Sequence, residues 1–271
     1  MINFITNRMG WPSEFTRGLQ MAKHLGCKVN EPIDTDDVVI CIKCMLPDSI
    51  GTQLKRYYID FIDDVNTSEL CRRVPYAKVI VLTDAMKEYL ETRVPNTIVV
   101  IPEHTCNFEN DIRIRKEVTT VGYVGSKQCF FLDVDELTAK LKANGLDFKF
   151  LTCEDKTVTR EDVCAFYKSI DIQVAFRPDA NDCRPSVFRN PLKLINAGSF
   201  NIPTVAYPEF AYREAAKTSY IDAIDLDDAV HSCCILRNDK TLYDFMANRS
   251  YEFSQDYTID KIAKLYKELD K

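Results

Sequence analysis

The segment from Arg189 to Ala206 reads RNPLKLINAGSFNIPTVA and concentrates residues suited to holding an anion. Pro191 predicts a helix start, because a proline in the first turn lacks only an N–H that would have no intrahelical partner. Lys193 then falls in that first turn, at the positive end of the helix dipole. A cation there works against the helix taken alone, so its presence points to an anion nearby. Arg177, Arg184 and Arg189 gather just upstream, on a loop after an apolar run ending at Phe176. The plainer reading is a solvated helix start with incidental basic residues.

Carboxylates and one imidazole are candidates for proton transfer. Asp60, Asp63 and Asp64 lie along and after an apolar run, and Asp63 or Asp64 can serve as general base toward a hydroxyl if placed within hydrogen-bond reach. A solvated strand end or helix cap explains the same residues. His104 follows another apolar run and can act as a base or a phosphate contact. Asp179 and Asp182, in RPDANDCRPS, can bind ligand hydroxyls or shape a turn. Near the N-terminus, Asn7, Arg8, Met9, Gly10 and Trp11 follow the first apolar run. Trp11, the only tryptophan, can stack on a sugar or base, or pack in a core.

Composition narrows the classes. With 46% hydrophobic and 28% charged residues over 271 positions, the chain reads as globular, with room for one large domain or two small ones. A formal net charge of −6 argues against broad, sequence-independent nucleic-acid binding but leaves room for a local basic cleft. Eleven cysteines do not describe a disulfide scaffold, since the number is odd and several sit in apolar runs, as Cys41 does in VVICI. Cys41 and Cys44 form a CxxC without the second pair that a structural zinc site needs, and His24, His104 and His231 are scattered. No metal and no bound cofactor is therefore expected. No run nears the ~18 apolar residues that span a bilayer. MINFITNRMGWPSEF reads as a first strand, not a signal peptide, so a cytoplasmic location is expected.

The elements that must position these residues alternate. Ile2–Thr6 reads as a strand, and Ser13 as the cap of a helix to about Leu25 whose apolar face is Phe15, Leu19, Ala22 and Leu25. Val38–Ile42, Tyr57–Ile62, Lys78–Leu82 and Thr97–Ile101 read as strands, with Thr83 capping a helix over Asp84–Thr92. The polar stretch Glu109–Glu117 reads as a linker. Alternation then restarts with strands at Val118–Val124, Phe148–Leu151, Ile170–Phe176 and Thr204–Ala206. Helices are predicted at Val134–Ala143, Arg160–Ser169 and from Pro191, with a mainly helical C-terminus. Such alternation predicts parallel sheets covered by helices. The expected architecture is α/β, two Rossmann-like domains facing each other across a cleft. Residues 1–110 form the first, 118–255 the second, and 256–271 a C-terminal helix packing back on the first. Ligands of open α/β sheets bind beyond the carboxyl ends of the strands, so the cleft is the expected site.

PLKLINAGSFNIPTVAY resembles the donor-site signature of GT-B glycosyltransferases, in which a proline-and-lysine helix start precedes a small-residue turn and a strand. TTVGYVGSK resembles the first strand and turn of their donor domain. PYAKVIVLTDAMKEYL and IVVIPEHTCNF resemble the N-domain strand–helix pair and the connection that follows it. Each motif is short, but together they span most of the chain. The resemblance implies that the C-terminal half holds a nucleotide-sugar co-substrate and the N-terminal half, with Arg8, Gly10 and Trp11, meets the acceptor. Lys193 matches a position facing donor phosphate, and Gly125, Ser126 and Lys127 match the phosphate-side turn, where glycine admits close backbone approach. Asn196 stands where a glutamate often holds the donor ribose, Phe188 where retaining members carry an acid, and Ser126 or Lys127 where an arginine is common. These departures leave retaining or inverting stereochemistry open.

The function expected from the resemblance is transfer of a sugar to a hydroxyl, the acceptor being a glycan, lipid, protein or modified DNA base. Lys193 and the neighbouring arginines would stabilise the leaving diphosphate. An inactive nucleotide- or phosphate-binding relative, a phage-type DNA glycosyltransferase and a nucleotide-sugar epimerase are the alternatives.

Overall fold

The structure, a computed structural model, describes residues 1–7, 13–60, 66–112, 114–152, 158–177, 186–216 and 218–271. The chain divides into two compact units, one of Met1–His104, Cys183–Asn190 and Ile259–Lys271, the other of Thr105–Asp182 and Pro191–Thr258.

The first unit is built on a six-stranded sheet: β1 (Ile2–Thr6), β2 (Lys28–Val29), β3 (Val38–Ile42), β4 (Arg56–Asp60), β5 (Lys78–Val81) and β6 (Ile98–Val100). Their spatial order is β2-β1-β3-β4-β5-β6, and every pair is parallel. Strand β3 is apolar at every residue because it is buried on both faces, as central parallel strands are. Thr83 caps the Asp84–Glu91 helix as expected, its Oγ1 accepting from Met86 N at 3.2 Å. The last helix, Ile259–Glu268, buries Ile259, Ile262, Ala263 and Tyr266, one face at helical spacing, and sets the Tyr266 ring 5.5 Å from that of Phe4.

The helix expected from Ser13 to Leu25 differs in winding and in face. Glu14–Gln20 is π-helical and only Met21–Leu25 is α-helical, while Ser13 has helical backbone angles and makes no side-chain cap bond. Phe15 and Leu19, expected in the core, are 45% and 42% exposed. The buried face carries Glu14, Arg17, Gly18 and Met21 beside the expected Ala22. Two contacts explain the inversion: Arg17 pairs with Asp60 at the end of β4, and Gly18 lies so close to Thr6 that a Cβ would sit 3.0 Å from its Cγ2. An ion pair and a backbone approach outweighed two apolar side chains.

The second unit holds β7 (Thr120–Gly125), β8 (Asp147–Thr152), β9 (Ile172–Ala175), β10 (Thr204–Ala206) and β11 (Ile221–Asp222) in the order β11-β10-β9-β7-β8, again all parallel. Read from its own first strand, this order repeats that of β1 to β5. Each sheet therefore reverses direction once, between β1 and β3 and between β7 and β9. Those are the topological switch points where open α/β sheets bind ligands. The Val134–Ala143 and Arg160–Ser169 helices begin at side-chain caps from Asp133 and Thr159, the latter in a reciprocal capping box with Asp162. Two short edge strands, β2 and β11, escape sequence reading because two residues carry no period. The 109–117 stretch expected as a mere linker buries Arg115, whose Nε donates to Asp171 Oδ1 at 2.9 Å and to Ile170 O at 3.0 Å.

Candidate anion site at the second switch point

Strand β7 ends at Gly125, whose φ of +150° is closed to residues with a side chain. The turn it opens carries Ser126, whose side chain accepts from Gln128 N, and Lys127 at the start of a short 3-10 helix. The neighbouring strand across the switch point, β9, leads into Phe176 and Arg177. Phe131 N donates to Phe176 O at 3.0 Å and so ties the two loops together.

Lys193 reaches this turn from the Leu192–Ser199 helix, for which Pro191 is the N-cap residue. A Cβ at position 125 would lie 2.6 Å from Lys193 Nζ. The ammonium also stands 5.1 Å from the centre of the Tyr123 ring, a cation–π arrangement. Gln173, fully buried in β9, fixes the backbone beneath: its Nε2 donates to Lys193 O at 3.0 Å and Thr204 Oγ1 at 3.1 Å, while its Oε1 accepts from the Tyr167 hydroxyl. A glycine turn and the ammonium of a lysine from the first turn of a helix thus meet at one place, an arrangement that suits a phosphate.

The other expected donor residues sit differently. Arg177 follows β9 by two residues, but its Nε and Nη2 donate to both oxygens of buried Glu209, at 2.9 and 3.0 Å. Burial works against the Arg177 charge, and the Glu209 bonds and charge more than offset it, so its pKa is raised. Asn196 Oδ1 accepts from Cys106 N at 2.9 Å, tying the Leu192–Ser199 helix to the 105–111 segment; Asn107 Nδ2 reinforces this by donating to Ser199 O at 2.7 Å. Ser126 and Lys127 are in the turn as expected.

Arg189 and His104 belong to the first unit and are buried. His104 Nε2 lies 3.0 Å from Thr16 O and donates to it, since a carbonyl oxygen can only accept. Beside it Glu103 accepts from Thr16 Oγ1 and from Asn190 Nδ2, the latter at 2.8 Å. At the first switch point Asn7 N donates to Glu14 Oε1 at 2.9 Å. Arg17 donates Nε to Asp60 at 2.7 Å and Nη2 to Ile101 O at 2.9 Å. Burial opposes the Arg17 charge, but Asp60, with Tyr266 and Glu103, holds it ionised. Phe188 is in the core against Tyr89, ring centres 5.3 Å apart. Arg8, Gly10, Trp11, Asp63, Asp64, Asp179, Asp182 and Arg184 lie outside the described residues. Tyr123, Gln173 and Glu209 were missed by sequence reading. Only the glutamine inside the otherwise apolar strand IQVA could have signalled a polar role.

Among the described residues no three His, Cys, Asp or Glu side chains converge as a metal set, and no helix is long and apolar enough to cross a membrane. No protein-family model matches the chain, and no curated protein matches it by sequence. Solved structures do. Anabaena HepE in complex with UDP and glucose matches with a TM-score of 0.64 at 10% identity, over 98% of both chains. A GtfA/B complex matches at 0.57 and 14% identity over 95% of this chain, which spans 59% of that one. An alpha-glucosyltransferase in complex with UDP and a 13-mer DNA containing a HMU base matches at 0.51 and 9% identity over the whole of both chains. The same fold carries a UDP-GlcNAc 2-epimerase from Neisseria meningitidis, at 0.52 and 10% identity over 99% of this chain and 98% of that one. Two parallel sheets of like strand order, matched over nearly the full length, give this chain the α/β fold of the GT-B glycosyltransferases.

Proposed function

We propose that this chain transfers a sugar from a nucleotide-sugar donor to an acceptor hydroxyl. The observation that carries the reading is the seating of the Lys193 ammonium against the Gly125 turn at the switch point of the second sheet. HepE, similar along nearly its whole length, is described with UDP and glucose, which supports a nucleoside diphosphate as the anion. In the proposed step the bond from the anomeric carbon to the diphosphate oxygen breaks, and the acceptor oxygen bonds to that carbon. The acceptor proton passes to a base, and charge building on the diphosphate is met by Lys193 and the backbone N–H groups of the donor helix. Arg177, neutralised by Glu209, shapes the loop; it is not a second phosphate ligand in this proposal. Asp63 or Asp64, just past β4, is the proposed base; His104, buried and committed to Thr16 O, is the weaker candidate. Glycans, lipids, proteins and a modified DNA base all stay within the acceptor class.

A second reading, donor binding without transfer, has its own observations. Phe188 fills a core position where an acid would be expected, and the Asn196 carboxamide oxygen is taken by Cys106 N.

A thermal-shift panel of nucleotides and nucleotide-sugars separates these readings from none at all. A donor at about 100 times its dissociation constant stabilises the fold by about 2.7 kcal/mol. One donor should shift the wild type, and Lys193→Ala should lose the shift. Release of the nucleoside diphosphate from that donor, in the presence of acceptors, then distinguishes transfer from binding alone. Absence of any shift across the panel sinks both.

A further inference from the structure

We infer that Tyr123 is the positioning residue of the anion site, setting the turn and the lysine at once; the inference rests on the nucleoside-diphosphate reading above. Tyr123 is fully buried in β7, two residues before the turn. Its hydroxyl donates to Ser126 O at 2.8 Å, which fixes the plane of the Ser126–Lys127 peptide, because a planar peptide turns as one piece. Its ring face carries the Lys193 ammonium at 5.1 Å. The two roles meet over Gly125: a Cβ there would lie 2.6 Å from Lys193 Nζ and 2.9 Å from the Tyr123 hydroxyl.

The ring itself has little freedom to move. Phe130 and Phe150 pack on it with ring centres at 4.4 and 5.1 Å, and all three belong to one aromatic cluster under the turn. The aromatic cluster thus acts as a rigid floor whose single hydroxyl reaches up to the site. An aromatic residue needed only for packing would be served equally by phenylalanine, as Phe130, Phe148 and Phe150 are.

Tyr123→Phe keeps the ring, the packing and the cation–π contact and deletes only the hydroxyl. The test is calorimetric binding of UDP, TDP, GDP and ADP, and of the matching monophosphates, to wild type, Tyr123→Phe and Lys193→Ala. For the diphosphate that binds, Tyr123→Phe should weaken affinity about 3- to 10-fold, the loss of one hydrogen bond, while its monophosphate binds within twofold of wild type. Lys193→Ala should lose the diphosphate preference entirely. Unchanged diphosphate affinity in Tyr123→Phe, with Lys193→Ala impaired, overturns the inference and leaves the functional reading standing. An equal loss for mono- and diphosphate, or a fall in Tm with affinity intact, assigns the hydroxyl to folding alone and also overturns it. No diphosphate binding by the wild type, or none lost in Lys193→Ala, removes both the reading and the inference.

Discussion

Gly198 and Ser250 approach more closely than any side chain would permit: a Cβ on Gly198 would lie 2.2 Å from the Ser250 carbonyl oxygen. The contact presses the Leu192–Ser199 helix onto the Lys240–Ser254 helix and so sets how Lys193 is presented at the helix's other end. Gly198→Ala must push backbone, not a flexible side chain. We expect a cost of about 3 kcal/mol or more, at the upper end of overpacking effects, read as a lowered midpoint in urea unfolding. Wild-type stability in this variant would mean the two helices separate freely.

Gly125→Ala tests the site instead of the scaffold. The substitution strains a backbone at φ +150° and displaces Lys193 Nζ. A loss of about 1–3 kcal/mol in stability is expected from the strain. Nucleotide-sugar affinity should fall further than stability does, when measured by calorimetry below the melting range. Equal binding by Gly125→Ala and wild type would remove this turn from the site.

The Arg17–Asp60 pair is almost wholly buried, with side-chain exposures of 1% and 0%. Asp60→Asn leaves a guanidinium charge in the core without its counter-ion, and should destabilise the fold by about 3–5 kcal/mol. The double variant Arg17→Met, Asp60→Leu removes both charges and should recover most of that loss. A double variant as unstable as the single would show that the pair's hydrogen bond to Ile101 O matters more than its charge.

Glu109 predicts a pH dependence. Its hydrogen bonds from Arg160 hold its pKa at about 2, below the ordinary 4.5. A depressed folded-state pKa gives stability that is present above the unfolded value and is lost as pH falls from about 4.5 toward 2. With its side chain 59% exposed, solvent screening limits the effect to under ~1 kcal/mol. Glu109→Gln should lose that small increment at pH 7, leave stability near pH 2 little changed, and so flatten that part of the acid-side slope. An unaltered slope would assign acid sensitivity to other carboxylates.

Strand–helix alternation was legible because its causes are local. VVICI could be nothing but a strand covered on both faces, and Thr83 stands where a capped helix begins. The Val134–Ala143 and Arg160–Ser169 helices fall at the expected residues. Lys193 stood out as a lysine out of place at a helix start, and Gly125 through the resemblance of TTVGYVGSK to a phosphate-side turn. The π-helix over Glu14–Gln20 was not, because its apolar residues at helical spacing promise burial that Arg17 and Gly18 take for themselves.

By itself, then, the amino-acid sequence determined most of the strands and helices, and pointed to one cation and one glycine as candidates for an anion-binding turn. Those are consequences of periodicity, capping and dipole, all acting over a few residues. Tertiary structure alone decided the strand order that makes β7 and β9 neighbours, and with it the meeting of Gly125 and Lys193 across many intervening residues. It also decided that Glu209 neutralises Arg177, that Cys106 takes the Asn196 oxygen, and that Tyr123 lies beneath the lysine. Each depends on which distant groups share one small volume, and no local pattern of side chains encodes that.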